Sequence, residues 1–354
     1  MKIALVCPYD WSFPGGVRSH VLGLARQLRA SGEEVEVIAP ASGTEAEIRV
    51  VGRSLPVPAN GSVARIGFSR SASARVREFL LHGDFDLLHV HEPAAPSASM
   101  LALRHAGDLP VVATFHRAGS SIAYAIFRRP LARYFEKIDE RIAVSKAARD
   151  LVASHFPGEY HLLPNGVEGR RFRDAAPDPE VTSLEPCVVF VGRGEPRKGF
   201  EVLVEAVSLI RGRIDVRLVT TGTPKDAPEW VVPLGPVGDE RLPGVFSAAD
   251  VFCAPSLGGE SFGMVLLEAM SAGVPVAASD LPGYREAAGE ATLFSPPGDA
   301  LALAENLYRL LSDRTLAEEM RARGVERSAQ FDWSALHPRM LEVYRRAGQR
   351  RIMG

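Results

Sequence analysis

Twice along this chain, short runs rich in Val, Ile and Leu alternate with longer segments of helical period, and that pattern leaves few folds open. Unbroken apolar runs this short suit strands buried on both faces, as in a parallel sheet covered by crossover helices. In the first half the expected strands are Lys2–Cys7, Val35–Ala39, Asp86–His91, Val111–Phe115, Arg141–Val144 and His161–Leu163, with helices at Val17–Ser31, Ser71–His82 and Ser97–His105. A second cycle places strands at Cys187–Val191, Val216–Thr220, Asp250–Ala254, Pro275–Ala278 and Ala291–Phe294, with helices at Gly199–Ile210, Ser261–Ala272 and Ala300–Ser312. Between the cycles, Pro164 to Pro186 holds Asn165-Gly166, four prolines and mixed charge, which reads as a linker. At 354 residues the chain is too long for one core and long enough for two domains. The expectation is an α/β fold of two Rossmann-like, doubly wound domains facing a central cleft: residues 1–168, a linker over 169–186, and residues 187–332. Residues 333–354 follow Phe331 and carry a last helix that caps the second domain or, as expected here, packs back on the first.

Composition narrows the function. Basic and acidic side chains number 41 and 43, so general polyanion binding is not expected, although residues 1–163 carry 19 basic against 16 acidic groups. The three cysteines, Cys7, Cys187 and Cys253, are an odd number inside apolar runs, which points to a reducing cytoplasm rather than a disulfide framework. The apolar start, Ile3 to Cys7, is too short for a signal-peptide core. No uncharged apolar stretch approaches the ~20 residues of a membrane helix, so any membrane contact is from the side. From Ile48 through Arg77 there are six arginines and no acid, with Phe68, Val76, Phe79 and Leu80 among them. Such an element can lie on an anionic lipid surface or be a solvated helix face. Nucleic acid is not expected, because aromatic interleaving is thin and no binding motif is present.

In open parallel sheets, ligands collect at the carboxyl ends of strands. Gly15-Gly16 follows the first strand, where paired glycines let amides approach a phosphate or simply make a strand-to-helix turn. Neither a Gly-x-Gly-x-x-Gly fingerprint nor a Walker A sequence occurs, which argues against NAD and ATP hydrolysis. Arg193 and Lys198 flank the turn after the first strand of the second cycle. A guanidinium fork and a compact ammonium there suit a diphosphate leaving group, and solvated loop charge is the plainer alternative. Glu260 precedes an apolar helix and Glu268 lies within it, ~12 Å further at 1.5 Å per residue. Glycoside hydrolysis needs carboxylates about 5–9.5 Å apart. The wider spacing suits gripping hydroxyls at the two ends of a nucleotide sugar, while capping alone would also place Glu260. The amides of Phe262, Gly263 and Met264 would meet phosphate at that helix start. His116 ends the strand Val111–Phe115, where it can donate to a ligand or be structural. His89, His91 and Glu92 look like metal ligands, yet no third group converges on that strand face and no metal site is expected. Asp84-Phe85-Asp86 reads as turn chemistry.

Taken in order, Pro14-Gly15-Gly16, Pro164-Asn165-Gly166-Val167, Arg193 with Lys198, and Glu260 with Glu268 resemble the family 4 retaining glycosyltransferases of GT-B architecture over nearly the whole chain. Within that family the chain is most similar to the phosphatidylinositol mannosyltransferase branch. Val6-Cys7-Pro8-Tyr9, Asn60-Gly61-Ser62-Val63-Ala64-Arg65, Gly83-Asp84-Phe85-Asp86, His89-Val90-His91-Glu92-Pro93, Ala113-Thr114-Phe115-His116 and Cys253-Ala254-Pro255 carry that likeness. The resemblance implies that Gly16, Arg193 and Lys198, with Gly15, hold a donor diphosphate together with the segment Phe262, Gly263, Met264 and Val265. It assigns Glu268 to the ribose, Glu260 to the transferred sugar and His116 to the reacting centre. Val237 and Asp239 match positions at the base, Asp239 contacting guanine and so pointing to GDP-mannose. Tyr9, Asn60, Ser62 and Arg65 match acceptor positions, and Arg70, Arg75 and Arg77 match a membrane-docking helix. Arg117-Ala118-Gly119, Arg18 and Ala59 depart from that pattern, all on the acceptor side.

The function so implied is retaining transfer of mannose from GDP-mannose to phosphatidyl-myo-inositol by a protein peripheral on the inner face of the plasma membrane. No tightly bound cofactor is expected, with Mg2+ at most stimulatory. The alternatives are a family 4 hexosyltransferase using another nucleotide sugar or a soluble acceptor, a UDP-sugar epimerase, and a non-catalytic nucleotide-sugar-binding protein.

Overall fold

The structure is a computed structural model describing residues 1–353 except 44, 46, 60, 61, 95, 120, 121, 193 and 223–225, and leaving out the side chains of 57–59, 62–64, 122, 123, 127, 352 and 353. The chain divides into two units, residues 1–166 with 333–354, and residues 167–332.

The first unit runs β1 (Lys2–Val6), α1 (Gly16–Ala30), β2 (Glu34–Ala39), β3 (Arg49–Val50), β4 (Leu55–Ala59), β5 (Ser62–Ile66), α2 (Arg70–His82), β6 (Leu87–His91), α3 (Ala98–His105), β7 (Val111–Phe115), α4 (Ile122–Phe135), β8 (Glu140–Ala143), α5 (Lys146–His155) and β9 (His161–Leu162). Its main sheet is parallel, in the order β3-β2-β1-β6-β7-β8-β9, and β4 and β5 form a separate antiparallel hairpin. Because side chains alternate along a strand, Ala4 and Val6 enter one core and Ile3, Leu5 and Cys7 the other.

The second unit runs α6 (Gly169–Arg173), α7 (Pro179–Thr182), β10 (Cys187–Phe190), α8 (Phe200–Ile210), β11 (Arg217–Thr220), β12 (Val231–Pro233), α9 (Leu242–Ser247), β13 (Val251–Ala254), α10 (Met264–Ser271), β14 (Val276–Ser279), α11 (Pro282–Ala288), β15 (Leu293–Ser295), α12 (Ala300–Ser312) and α13 (Arg314–Ala329). Its sheet is parallel in the order β12-β11-β10-β13-β14-β15, with a core on each face. The chain closes with α14 (Trp333–Met353), which belongs to the first unit. Its Trp333, Leu336, Met340, Val343, Tyr344 and Ala347 are buried with residues of β1 and α1.

The strands read from sequence are found to within two residues at either end. Residues 169–186, expected as a linker, instead fold within the second unit. Phe172 and Val181 are buried there, and the Asp178 side chain caps α7 at the amides of Glu180 and Val181 ahead of Pro179. Short helices with one or two apolar anchors carry too little period to be read from sequence. The three cysteines are free and buried; burial pushes the Cys7 and Cys187 thiols up to about 12.

Candidate active site

Both sheets reverse their strand order beside the first strand of the unit, between β1 and β6 in one and between β10 and β13 in the other. Outside the carboxyl ends of such strands, helices diverge and leave room for a ligand. Tyr9, Gly15 and Gly16 follow β1, Glu92 follows β6, and His116 follows β7. In the second unit Lys198 follows β10 and Glu260 follows β13.

Glu260 and Lys198 meet directly. Glu260 Oε1 accepts from Lys198 Nζ at 2.8 Å, from Arg197 Nη1 at 2.8 Å and from Ser256 Oγ at 3.2 Å. Burial raises this carboxyl, but Lys198, Arg197 and Ser256 outweigh it and hold the group below the usual range. Arg197 also pairs with Glu195 at 2.8 Å. The segment around Glu260 is fixed by α11, where a Cβ on Gly283 would stand 2.5 Å from the Glu260 carbonyl oxygen. Close backbone packing of this kind admits only glycine.

Helix α10 starts at Met264, later than Ser261, because Gly263 takes a left-handed φ of 122° at its N-cap. Glu260 therefore lies off the helix, and the spacing along a helix axis does not apply to it. Gly263 caps without a side chain, so the amides of Met264 and Val265 stand at the positive end of α10. The Phe262 side chain is buried and packs edge-on against Phe331, with ring centroids 5.6 Å apart.

Glu268 has different company. Burial pushes its carboxyl up to about 7, Arg171 opposes this, and the charges of Asp239 and Glu168 add to it. Arg171 pairs with Glu168 at 3.2 Å and donates to the Asp239 carbonyl. Val237 is partly buried against the same core as α10. Glu260 and Glu268 thus sit in separate clusters, one rich in cations and one in carboxylates.

In the first unit, His116 is 5% exposed and its Nε2 lies 3.1 Å from His91 Nδ1. Glu92 Oε2 accepts the backbone N–H of His116 at 2.8 Å and of Arg117 at 3.1 Å, and Tyr124 donates to Glu92 Oε1. The Tyr9 hydroxyl is hydrogen-bonded to Arg117. His20, on α1, packs edge-on against both rings, at 5.3 Å from His91 and 4.9 Å from His116. One ligand atom from each of His20, His91 and His116 lies within 4.8 Å of the others, so these are the described side chains that could share a cation. His89 is bonded instead to Tyr344 Oη at 2.9 Å and Thr114 Oγ1 at 2.7 Å.

Residues 14–171 match the sequence pattern of Glycosyltransferase Family 4, and residues 185–313 match that of the Glycosyl transferases group 1. The chain is 42% identical over 361 residues to the phosphatidyl-myo-inositol mannosyltransferase of Mycobacterium leprae, with 97% of this chain and 96% of that one covered. The chain belongs to glycosyltransferase family 4.

The protein of the same name from Mycolicibacterium smegmatis is also 42% identical, over 97% of this chain and 93% of the relative. Among solved structures, Anabaena HepE in complex with UDP and glucose superimposes with a TM-score of 0.76 at 18% identity, covering 97% of this chain and 99% of that one. That likeness establishes the GT-B fold of this glycosyltransferase.

The remaining expected residues fall as follows. Gly15 is the N-cap of α1 and Gly16 its first residue; Gly15 has an extended φ of 177°, and a Cβ on it would meet nothing within 4 Å, so internal packing does not demand glycine there. Arg65 stacks on Phe13 at 4.2 Å, and its carbonyl accepts from Asp10 N at 2.9 Å. Arg193 and Asn60, and the side chain of Ser62, lie outside the described residues. Arg70, Arg75 and Arg77 are exposed on α2, whose opposite face buries Ala72, Val76 and Leu80. Asp86 accepts from Lys2 N at 2.7 Å, and Asp84 turns at φ 45°, which is the expected turn role. No described helix is long and apolar enough to cross a membrane. Arg197, Arg171 and His20 were not singled out by sequence; adjacent charges in one loop do not reveal which points inward.

Proposed function

We propose that this glycosyltransferase moves mannose from GDP-mannose to phosphatidylinositol, working peripherally at an anionic membrane surface on the cytoplasmic side. The observation that carries the reading is the pair of clusters on either side of the α10 start, Glu260 with Lys198 and Glu268 with Asp239. A sugar nucleotide has hydroxyls at both ends and a diphosphate between them, and the order carboxylate, amides, carboxylate matches that order.

In this reading Glu268 binds the ribose and Asp239 the guanine, with Val237 beside the base. The amides of Gly263, Met264 and Val265 meet the diphosphate, with Lys198 and Arg193 neutralising charge as the bond breaks. Glu260 Oε2 takes a sugar hydroxyl, since Lys198, Arg197 and Ser256 converge on Oε1. The acceptor hydroxyl attacks the anomeric carbon on the face from which GDP departs, the bond to the β-phosphate oxygen breaks, and that oxygen takes the acceptor's proton. Configuration is retained. Cationic side chains do the neutralising, so no tightly bound cofactor is required. Names of the mycobacterial relatives support phosphatidylinositol as acceptor.

The test is radiolabelled GDP-mannose with vesicles containing phosphatidylinositol. Label should enter the lipid phase only when enzyme, donor and that lipid are all present. Label moved from another nucleotide sugar, or none reaching lipid, would replace the substrates.

A further inference from the structure

Strand β6 ends on side chains that the transfer chemistry leaves unused, and two of them are bonded to the segment carrying His116. Glu92 stands just beyond β6 with φ 50°, a costly setting for a residue with a Cβ. From there its carboxylate holds the main chain at His116 and Arg117 on one oxygen and the Tyr124 hydroxyl on the other. The turn out of β7 is clamped by that carboxylate.

The contact between His91 Nδ1 and His116 Nε2, at 3.1 Å, is a hydrogen bond that needs one proton. Both rings are buried, with no carboxylate bonded to either among the described residues, and burial favours the uncharged form of a histidine. A neutral ring carries one proton, so only two arrangements exist. If His116 donated, His91 would carry its own proton on Nε2, and that buried atom has no hydrogen-bond partner among the described residues. Among backbone groups an orphaned buried N–H is rarer than an under-satisfied carbonyl, and the same preference is applied to this ring. His91 therefore donates from Nδ1, and His116 keeps its proton on Nδ1. Behind His91, the ring of His89 packs at 4.3 Å and is itself bonded to Thr114 and Tyr344.

We infer that Glu92 and His91 are positioning residues for His116, Glu92 fixing its main chain and His91 its tautomer, so that His116 meets substrate as a neutral donor through Nδ1–H and not as a base. The inference rests on the proposed transfer and on the place at its reacting centre that the family resemblance gives His116. A donor of this kind steadies a hydroxyl or anionic oxygen and takes no proton from the acceptor, in keeping with proton transfer to the departing phosphate.

The test uses the full chain labelled with 15N-histidine, with long-range nitrogen–proton correlations at neutral pH and His116→Gln to assign the signal. His116 and His91 should both appear in the Nδ1–H form, and His91→Leu should abolish that preference at His116. With GDP-mannose and phosphatidylinositol vesicles, His91→Leu should lower kcat about 10–100-fold, the size of loss that follows removal of the partner orienting a metal-bound histidine. KM for GDP-mannose should not change. His91→Asn, whose amide nitrogen stands near the Nδ1 position, should recover most of the loss. An Nε2–H form of His116 in the unsubstituted protein, wild-type kcat in His91→Leu, or no recovery in His91→Asn would each overturn the inference. Absence of any mannose transfer by the unsubstituted protein would sink the proposed substrates instead, and the tautomer measurement would still decide this point.

Discussion

Glu260 and Glu268 are the same residue type eight positions apart, and their surroundings push them in opposite directions. Lys198 is the ammonium that most lowers Glu260, while Arg197 bonds the same oxygen. Lys198→Met should therefore cost little stability, a few degrees in melting temperature, but lower turnover about 10²–10³-fold, as losing one preorganised charge-stabilising group does. Turnover equal to that of the unsubstituted enzyme would remove Lys198 from the chemistry. At Glu268 burial lifts the folded carboxyl to about 7, above its ordinary 4.5. A raised carboxyl favours folding fully below the unfolded pKa, and that advantage is lost as pH climbs through the folded one. Glu268→Gln should thus melt higher than the parent at pH 8, with the gap closing by pH 4.5; thermal melts across that range check it, and a gap independent of pH would contradict it. The sequence made Lys198, Glu260, Glu268 and His116 legible because each stands near the carboxyl end of a strand or the helix after it. Arg171, Arg197 and His20 were not legible, since the groups that tie them to the site, the Asp239 carbonyl, Glu260 and His91, are 68, 63 and 71 positions away in sequence and nothing in the local pattern announces them.

At the scale of elements, apolar strands were legible and amphipathic or proline-bearing ones were not. Strand β4 contains Pro56 and Pro58, residues that normally argue against a strand, and it survives as half of an isolated hairpin. Helix α13 buries only Met320, Gly324 and Ser328, so it shows no apolar stripe for a period to reveal. Of the six arginines between Ile48 and Arg77, three lie on α2, with Phe68 45% exposed just before it and Leu81 63% exposed near its end. Exchange of Arg70, Arg75 and Arg77 for serine leaves the buried face of α2 intact. At about 1 kcal/mol per arginine on an anionic surface, it should weaken binding to phosphatidylinositol-rich vesicles about a hundredfold. Vesicle flotation reads this directly, and unchanged partition would show that α2 is merely solvated.

Across the whole molecule, one unit is a continuous stretch and the other is assembled from both ends of the chain. Residues 167–332 carry a sheet with a core on either face. Residues 1–166 alone would lack the buried Trp333, Leu336, Met340, Val343, Tyr344 and Ala347. Residues 167–332 should fold with a cooperative melt, residues 1–166 should not, and 1–166 joined by a short linker to 333–354 should recover it. A cooperative melt of 1–166 by itself would refute the role given to α14. The claim beneath the functional reading is that the second unit grips a sugar nucleotide at both ends, and calorimetric titration of the full chain with GDP-mannose and with GDP alone tests it most directly. Saturable binding is expected, with Glu268→Gln weakening GDP and GDP-mannose alike and Glu260→Gln weakening GDP-mannose more than GDP. Equal binding by the parent and both variants, or no saturable binding of either nucleotide, would contradict it.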